Sequence, residues 1–392
     1  MKILVACEDP RIPTGFGNVS RFLCDMFSNQ NEVYSIAFNN SDCPNHGIIF
    51  NNYKVIPNLE LKRNSNASYG SDELINFYDK IYNFDLILFC NDSHRFRYIN
   101  YLNEGILSRS IYLHISEAEE IDILAMDYMK KCSDFIFSCS YSKNIHKEIK
   151  ESNNRSTIPI PIDVDNFSPA SEQTYKSSRS KLKLDNKFIV LRVDRNQPRK
   201  QWVSTLRAFS IFAQDKDDVI LYCKCDINDP AANYDLPSIA SRLNIGDKIR
   251  FDGEFIERKS ICEKIYKAAD TFLSTTSGEG LGLSLCEAGL CELPIISTDA
   301  GPIREFLGDK AILVPPLEKD KSRTQNYNIP NEKAVADELN KLYEDYKFNN
   351  KNKNKEIGQE TRKHILSYFS KYNIVSAWKN VISSLLSLNK SV

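Results

Sequence analysis

The sequence predicts an α/β protein with two doubly wound domains, each built on a parallel sheet. Short apolar runs alternate with stretches whose apolar residues recur at helical spacing, which is typical of βαβ units. A length of 392 residues with 42% hydrophobic residues is ample for two cores. Prolines at alternate positions in 157–163 forbid a central strand and favour a stiff linker. We therefore expect an N-terminal domain over 1–168 and a second domain over 186–370.

Composition and charge narrow the classes of function. The formal net charge is −1 at pH 7 and the pI is about 6.6, so the chain as a whole has no electrostatic footprint for nucleic acid, and a nucleic-acid partner is unsupported. The apolar run at the N-terminus is too short for a signal peptide, and no segment approaches the roughly 18 apolar residues of a membrane span. We expect a cytoplasmic protein without a membrane span, and the sequence leaves its oligomeric state open.

The eleven cysteines predict free thiols. Most stand singly inside apolar runs, and Cys223 and Cys225 are too close together for the usual spacing of zinc ligands. Buried free thiols are typical of proteins in a reducing compartment.

A glycine-containing loop follows the first predicted strand, Lys2–Cys7. Gly15 and Gly17 stand just before a helix predicted over Asn18–Ser28. A glycine turn at this place brings backbone N–H groups close to a phosphate, and it also serves tight packing. From the residues alone, both interpretations stay open.

The alternation of strands and helices continues to the linker. Strands are predicted at Val33–Phe38, Ile48–Ile56, Asp85–Cys90, Ser110–Ser116 and Asp134–Ser140, and helices near Asp72–Tyr82, near Ile121–Lys131 and up to about Lys150. His114 falls near the carboxyl end of its strand, where parallel sheets bind ligands. A histidine there is a candidate for function, and it is also a common structural residue.

The second domain opens with a strand from Phe188 and a basic loop. Arg195, Arg199 and Lys200 lie between the strand end and a helix that begins near Trp202. Three cations in six residues could neutralise a diphosphate leaving group, whose developing charge needs fixed positive partners. A solvated basic loop is the alternative interpretation.

The most informative stretch is Thr271–Gly289, which reads as a strand, a loop with Gly280 and Gly282, and the start of a helix. The glycines let the backbone approach a ligand, and the first N–H groups of a helix are unpaired donors. Glu279 and Glu287 bracket the loop. If Glu287 lies in the first helical turn, both carboxylates face one crevice and accept hydrogen bonds from sugar and ribose hydroxyls. Two glutamates at this spacing also recur by chance.

The remaining predictions concern the ends of the second domain. They are a strand Val219–Lys224, a strand that ends in a turn near Phe255, a helix Ile261–Ala269, a strand Ala311–Pro315, a solvated polar loop at Lys347–Lys355 and a final helix Asn373–Leu388.

Residues 271–308 resemble the donor-binding core of glycosyltransferase family 4, a family of retaining, group 1 glycosyl transferases. The family loop reads Glu-Gly-Phe-Gly-Leu, and Leu281 here replaces the phenylalanine. The linker is similar to the family's Pro-x-Gly-Val-Asp-x-x-x-Phe crossover, from which Ile162 and Asp163 depart. The resemblance implies the GT-B architecture, in which two facing Rossmann-like domains enclose an interdomain cleft. It also implies that the C-terminal helix, 373–392, crosses back to complete the first domain.

The resemblance implies a function as well: a sugar moves from a UDP- or GDP-sugar to a hydroxyl acceptor, such as a glycan or glycoconjugate, with retention of anomeric configuration. It assigns His114 to the transferred sugar. From their positions in the sequence, we expect Glu279, next to Gly280, to position the transferred sugar and Glu287, at the predicted helix start, to bind the ribose hydroxyls. Contacts to the donor diphosphate or base are implied for Gly15, Gly17, Arg195, Arg199, Lys200, Phe255, Gly280, Leu281 and Gly282.

Two other classes of function stay open on the sequence. One is another nucleotide-sugar enzyme of GT-B architecture, such as an epimerase, and the other is a binding or scaffold protein without turnover. No aspartate-rich metal motif stands between the strands, and Arg195 with Lys200 can neutralise charge as a divalent ion would. We therefore expect chemistry without a metal or another cofactor, and same-face transfer without a covalent intermediate.

Overall fold

A computed structural model describes residues 1–61, 67–115, 127, 130–145, 156–229, 232–254, 256–320 and 327–389. The chain forms two compact units. Unit 1 comprises Met1–Ile162 and Phe369–Val392, and unit 2 comprises Asp163–Tyr368. The boundary between them falls inside the proline-rich linker of the sequence.

Within its described residues, unit 1 contains a seven-stranded sheet of order β3-β4-β2-β1-β5-β6-β7. The strands are β1 Lys2–Ala6, β2 Glu32–Ile36, β3 Ile48–Phe50, β4 Tyr53–Ile56, β5 Leu86–Phe89, β6 Ser110–His114 and β7 Asp134–Phe137. All neighbours pair in parallel except β3 with β4. The central strands are buried along their length, because helices cover both faces of a parallel sheet.

The helices of unit 1 follow the strands as the alternation predicts. Their described bounds are α1 Gly15–Ser28, α2 Asp72–Tyr82, α3 Glu104–Leu107 and α4 Ser140–Ile145, with a 3-10 segment at Ser93–Tyr101. Helix α2 begins after Ser71, whose hydroxyl accepts a hydrogen bond from the backbone N–H of Leu74. Most of the helix predicted near Ile121–Lys131 lies outside the described residues.

Two boundary predictions in unit 1 were wrong. Helix α1 begins at Gly15 and not at Asn18, because Thr14 caps it by accepting the N–H of Gly17 at 2.9 Å. The single strand expected over Ile48–Ile56 is an antiparallel hairpin that turns at Asn51, a residue with a positive φ of 52°.

Unit 2 holds an all-parallel sheet, which has six strands in the order β10-β9-β8-β11-β12-β13 within the described part of the unit. The strands are β8 Phe188–Val193, β9 Val219–Lys224, β10 Ile249–Asp252, β11 Thr271–Ser274, β12 Ile295–Thr298 and β13 Ile312–Val314. Two further strands, β14 Glu318–Asp320 and β15 Tyr327–Ile329, follow β13 in the chain and form a small antiparallel sheet. Strands β8 and β11 are neighbours, so the loops that leave their carboxyl ends lie side by side.

Helices fill the connections of unit 2. They are α5 Glu172–Leu182, α6 Trp202–Phe212, α7 Leu236–Arg242, α8 Arg258–Lys264, α9 Leu283–Leu290, α10 Ile303–Leu307, α11 Glu332–Phe348 and α12 Asn352–Tyr368. The core joins Phe188 and Val190 of β8 to Leu206 and Phe209 of α6 and to Leu339 of α11. Leu206 and Phe209, three residues apart, therefore lie on the buried face of α6.

The polar run Lys347–Lys355 is not a solvated loop. It contains the end of α11, a tight turn with positive φ at Asn350 and Lys351, and the start of α12. Lys351 contacts the buried carboxylate of Asp270 at 2.7 Å. A run of asparagines and lysines looks unstructured by composition, but this one reverses the chain between two packed helices.

The last helix, α13 Lys371–Asn389, belongs to unit 1. Trp378 is buried and meets the ring of Phe27 of α1 edge to face, with centroids 5.4 Å apart. Val381, Ile382 and Leu385 of the same helix are also buried, at most 9% exposed. All eleven cysteines are buried and free, which confirms the expectation of buried thiols.

Candidate active site

Two loops of unit 2 are joined at the carboxyl ends of β8 and β11. The N–H and the hydroxyl of Ser277 both donate to the carbonyl oxygen of Arg199, at 2.9 and 2.8 Å. The hydroxyl of Thr275 donates to the carbonyl oxygen of Gln201 at 2.8 Å. These contacts fix the basic loop after β8 against the start of the glycine loop after β11. Side chains that are about 80 residues apart in sequence thereby come into contact.

Lys200, Arg199 and Glu279 form the centre of the site. The ammonium of Lys200 lies 2.5 Å from Oε1 of Glu279, and the guanidinium of Arg199 lies 3.1 Å from Oε2. Arg199 also donates to the carbonyl oxygen of Gly278 at 2.7 Å. The three side chains are between 6% and 15% exposed, so these ion pairs are shielded from bulk water.

The charges of this cluster set its protonation. Burial alone would raise the pKa of Glu279, but the cations of Lys200 and Arg199 outweigh burial and lower that pKa to about 2. Burial likewise opposes the charge on Lys200, yet Asp194 and Glu279 raise the pKa of the ammonium above its ordinary value. Glu279 is therefore an ionised acceptor and Lys200 a charged donor at neutral pH. Such a pair suits the binding of hydroxyls and phosphates and not proton transfer.

A second layer lies beneath Lys200 and was missed by the sequence analysis. Asp194, just after β8, contacts the Lys200 ammonium at 2.8 Å and the guanidinium of Arg192 at 3.3 Å. Arg192 is fully buried and lies over the ring of Trp202, 4.2 Å from its centroid. Burial lowers the pKa of the Arg192 guanidinium. An arginine inside the apolar strand run Phe-Ile-Val-Leu-Arg-Val was the signal that could have revealed this layer.

Glu287 is held by a different part of unit 2. It is the fifth residue of α9, so the expectation that it lies in the first helical turn was wrong. The hydroxyl of Tyr266 donates to Oε2 of Glu287 at 2.7 Å, and both side chains are buried. Tyr266 itself stacks on Phe272 of β11 and meets Phe167 edge to face. Tyr266 is therefore a hydrogen-bond partner of the candidate residue Glu287 that the sequence did not identify.

The glycine loop leads directly into α9. Gly282 caps the helix with a positive φ of 60°, in the left-handed region that favours glycine. A Cβ at this position would lie 3.0 Å from Leu285. Gly280 and Leu281 are buried beside it. The first amides of α9 have no acceptor within the helix, as in any helix N-terminus, and they follow Glu279 in the chain.

Arg195 is not part of this cluster in the structure. The side chain of Arg195 is 63% exposed and its guanidinium lies 3.5 Å from the carboxylate of Asp229, while its carbonyl oxygen accepts the indole N–H of Trp202. Phe255 lies outside the described residues. The cations that contact Glu279 are therefore Arg199 and Lys200, and Arg195 reaches another carboxylate.

Gly15 and Gly17 of unit 1 lie in the first turn of α1 and not in a turn before it. A Cβ on Gly17 would lie 2.4 Å from the carbonyl oxygen of Ile12, so this glycine is required by packing. Gly15 is exposed and nothing lies within 4 Å of the position of a Cβ. The space around the first residue of α1, Gly15, is therefore not filled by other described residues of the protein.

His114 ends β6 and is buried. Its ring stacks on Phe135 at 5.8 Å and meets Phe137 edge to face at 5.9 Å. Its carbonyl oxygen accepts the N–H of Ser138 at 3.0 Å. The histidine thus lies at the carboxyl end of its strand, where the sequence analysis put it.

Within the described residues, no helix is long and apolar enough to cross a membrane. The same part of the chain shows no group of three or more histidine, cysteine, aspartate or glutamate side chains arranged to hold a metal ion.

Residues 174–364 match the model of the family described as glycosyl transferases group 1. Two relatives match about half of the chain. The α-monoglucosyldiacylglycerol synthase of Streptococcus pneumoniae is 24% identical over 216 residues, which are 54% of this chain and 46% of that protein. The mannosylfructose-phosphate synthase of Agrobacterium fabrum is 24% identical over 56% of this chain and 45% of its own. The chain thus spans about half the length of the curated relatives it matches.

Solved structures match over nearly the full length at low identity. Sucrose-phosphate synthase from Thermosynechococcus elongatus superposes with a TM-score of 0.76 at 16% identity, over 99% of both chains. HepE from Anabaena in complex with UDP-glucose gives a TM-score of 0.72 at 16% identity, over 98% of this chain and 100% of that one. Both units are Rossmann-like, with helices around a parallel sheet. The chain therefore has the GT-B fold, and its residues 174–364 match the family described as glycosyl transferases group 1.

Proposed function

We propose that this protein is a retaining glycosyltransferase of family 4 that moves a sugar from a UDP- or GDP-sugar to a hydroxyl acceptor, such as a glycan or glycoconjugate. The observation that carries the proposal is the contact of Lys200 and Arg199 with Glu279 at the carboxyl ends of two neighbouring strands. The match of residues 174–364 to the group 1 glycosyl transferases supports it. A structural neighbour solved with UDP-glucose supports a nucleotide-sugar donor.

The chemistry follows from the charges of the cluster. A departing nucleoside diphosphate gains negative charge as the bond to the sugar breaks, and fixed cations stabilise that charge in a shielded site. Lys200 and Arg199 are placed to do this, with Arg195 as a further candidate from the family resemblance. Glu279 is ionised and accepts hydroxyls of the transferred sugar, while Glu287 accepts hydroxyls of the ribose.

The remaining assignments rest on the resemblance to family 4. His114 faces the transferred sugar, Phe255 stacks on the base, and the first turn of α1 at Gly15 and Gly17 contacts the diphosphate. Because the cations neutralise the leaving group, no metal or other cofactor is needed for the chemistry. Buried free cysteines are typical of a reducing compartment, which supports a cytoplasmic location. A chelator should accordingly leave turnover unchanged.

We further propose that transfer occurs on one face of the sugar without a covalent intermediate. Glu279 is occupied by two cations, and a strongly ionised carboxylate that binds hydroxyls is a poor candidate for a nucleophile under the anomeric carbon. Proton NMR of the first-formed product should show the anomeric configuration of the donor. Mass spectrometry of enzyme trapped with a slow donor should show no sugar adduct. An inverted product would overturn the family 4 assignment, and an adduct on a carboxylate would overturn only the mechanism.

The first experiment is a thermal-shift screen with UDP, GDP and their sugars. A ligand that binds only the folded protein raises the apparent melting temperature. We expect a shift with at least one nucleoside diphosphate and release of that diphosphate when the matching sugar donor is supplied with acceptor. Conversion of the donor into an isomeric nucleotide sugar would instead indicate an epimerase. Binding without any turnover would indicate a scaffold protein.

A further inference from the structure

The layer beneath the candidate active site suggests a role for Asp194. We propose that Asp194 is a positioning residue that, backed by Arg192, keeps the Lys200 ammonium in place when Glu279 turns to the donor sugar. The inference deepens the proposed function and rests on it. It concerns residues to which neither the family resemblance nor the comparisons assign a role.

Lys200 has two carboxylate partners of different kinds. Its ammonium lies 2.8 Å from Asp194 Oδ1 and 2.5 Å from Glu279 Oε1. An ammonium has three N–H donors, so it can hold both carboxylates and still offer a donor to a phosphate oxygen. When a donor binds, the Lys200 ammonium keeps one of these two carboxylates, Asp194 or Glu279, as its partner.

Glu279 is the partner that has to give way. Both of its oxygens face cations, Oε1 the ammonium of Lys200 and Oε2 the guanidinium of Arg199. In the proposed reaction, Glu279 accepts sugar hydroxyls while both cations face the diphosphate. The contacts that satisfy Glu279 without ligand must therefore be exchanged for contacts to the donor.

Asp194 is the partner that can stay. Its second oxygen lies 3.3 Å from the Arg192 guanidinium, and both side chains are almost fully buried. Arg192 is itself fixed, because its guanidinium donates to the hydroxyls of Thr205 and Thr275 and to the carbonyl oxygen of Lys200. At 0% exposure Arg192 cannot reach a ligand. Its contacts therefore hold Asp194, and Asp194 holds the end of Lys200.

A carboxylate next to a diphosphate site has two effects of opposite sign. Its negative charge repels the diphosphate and weakens ground-state binding. Its fixed position holds Lys200 where leaving-group charge develops, and misplacement of such a group slows the chemical step. Neutralising a residue with only a structural role would not lower kcat while leaving the affinity for the diphosphate equal or higher. This combination defines the test.

Unit 2 offers a matched control at the amino ends of the strands of the same sheet, opposite the candidate site at their carboxyl ends. Asp270, just before β11, contacts Arg179 at 2.9 Å and Lys351 at 2.7 Å, so it forms the same arginine, aspartate, lysine series as Asp194. Its carboxylate also accepts the N–H of Ile189. This triad lies at the amino end of β11, whereas the glycine loop follows the carboxyl end. Asp218, which pairs with the exposed Lys347 at 2.6 Å, is a milder control.

The experiment compares Asp194→Asn with Asp270→Asn and Asp218→Asn. The donor is whichever of UDP-glucose, UDP-N-acetylglucosamine and GDP-mannose the wild-type protein turns over fastest, and kcat is expressed per folded molecule. We expect Asp194→Asn to lower kcat about tenfold or more while the Kd for the free nucleoside diphosphate stays equal or falls. We expect the two control variants to change stability but not kcat. Arg192→Lys, which keeps a cation but loses part of the hydrogen bonding, should lower kcat less than Asp194→Asn.

The pH dependence supplies the second readout. Lys200 is faced by Asp194 from the end of β8, by Glu279 from the glycine loop and by Arg199 beside it. Removing the charge of Asp194 lowers the pKa of Lys200, because that charge helps to keep the ammonium protonated. The alkaline limb of the kcat profile should therefore move to lower pH in Asp194→Asn, and Asp270→Asn should leave it in place.

The outcomes separate this inference from the proposed function. A wild-type protein that neither binds a nucleoside diphosphate nor turns over a nucleotide sugar would overturn the proposed function itself. An active wild type whose Asp194→Asn variant keeps kcat, loses diphosphate affinity, or shows an unshifted alkaline limb would overturn only the role of Asp194. If Asp194→Asn does not fold, an unchanged kcat in Arg192→Lys contradicts the inference instead.

Discussion

Lys200 makes the contacts that matter most for the proposed chemistry, so its replacement is the first prediction. Lys200→Met keeps most of the side-chain volume and removes the charge. We expect kcat with a nucleotide-sugar donor to fall about 10²-fold or more, which is the usual effect of removing a charge partner of the transition state. Steady-state kinetics over a range of donor concentrations measures this loss.

The control for this prediction is Arg207→Met on α6. Arg207 is more than half exposed and pairs with Glu332 at 3.6 Å, so its replacement removes a surface charge from the same unit. Its kcat should match that of the wild type. Unchanged kcat with weaker donor binding in Lys200→Met would contradict the role of Lys200 in the chemical step.

The two glutamates should give different kinetic signatures. Glu279→Ala should mainly lower kcat, because Glu279 contacts both cations and positions the transferred sugar in the proposed reaction. Glu287→Ala should mainly raise the Kd for the free nucleoside diphosphate, because ribose contacts contribute equally before and during the reaction. Calorimetric titration with the diphosphate, together with steady-state kinetics, tests the difference. Identical signatures would refute the division of roles.

Glu279 should also make stability depend on pH. Its pKa is lowered to about 2 in the folded protein from an ordinary value of 4.5, so its ionised form stabilises the fold. This contribution is present above the unfolded pKa and is lost as pH falls from about 4.5 through about 2. The gap in melting temperature between wild type and Glu279→Gln should therefore shrink over that range. A gap that stays constant down to the lowest pH at which both proteins fold would contradict the ionised state of Glu279.

The sequence predicted these residues only in part. Glu279, Arg199 and Lys200 were found because a strand, a loop and a helix start place functional groups at one edge of a sheet. Arg192 and Asp194 were missed because a charge inside an apolar strand has no interpretation until its buried partners are known. The pairing of Tyr266 with Glu287 was missed because Tyr266 lies in a short 3-10 segment before β11 and Glu287 lies in α9, so only tertiary contact brings the two side chains together. Whether Arg195 contacts the diphosphate stays a prediction.

Among the helices, the packing of α9 against α12 invites a direct test. A Cβ on Gly358 of α12 would lie 1.9 Å from the backbone oxygen of Glu292, just after α9. Because backbone cannot move aside cheaply, Gly358→Ala should destabilise unit 2 by about 1–3 kcal/mol, the range for overpacking. Denaturant unfolding measures the loss.

Gly246→Ala is the matched control for that change. Nothing lies within 4 Å of a Cβ at this position, and Gly246 is not among the glycines with positive φ. Its free energy of unfolding should stay within about 0.5 kcal/mol of the wild type, as for an ordinary surface change. Equal effects in the two variants would show that close helix packing is not the cause.

Helices and strands with strong periodicity were predicted well, but some of their ends were not. The predicted helix Asp72–Tyr82 and strand Val219–Lys224 have the observed bounds. The cap at Thr14 extends α1 backwards over two glycines that looked like a loop, because a hydroxyl cap outweighs the weak helix propensity of glycine. The turn between α11 and α12 looked solvated because composition does not show which lysine reaches a buried carboxylate.

At the scale of the whole molecule, the C-terminal helix α13 packs as part of the N-terminal unit 1. Trp378 of α13 is 1% exposed and packs on Phe27, so Trp378→Ala should destabilise unit 1 by about 3–5 kcal/mol. Hydrogen exchange should become faster in peptides from α1 and not in those from unit 2. Tyr372→Ala, which changes a residue of the same helix that is 81% exposed, should leave exchange unchanged. Equally faster exchange in both units would contradict a role confined to unit 1.

The α/β class and the doubly wound sheets could be predicted because alternation of strands and helices is written in the periodicity of the chain. The acceptor of the proposed reaction could not be predicted, because loops that bind acceptors follow no general sequence motif. The two structural neighbours described above share 16% identity with this chain, which is enough to establish the fold and too little to identify a substrate.

The division of the chain has a consequence for its synthesis. Unit 2 is one continuous stretch, Asp163–Tyr368, whereas unit 1 also requires Phe369–Val392. During synthesis, unit 2 is therefore complete before unit 1 is. Unit 1 begins at the N-terminus, but it lacks α13 until the last residues of the chain have been made. The usual order of vectorial folding, from the N-terminus onward, is thus reversed in its last step. We therefore expect nascent unit 1 to expose Phe27 of α1 until Trp378 of α13 covers it.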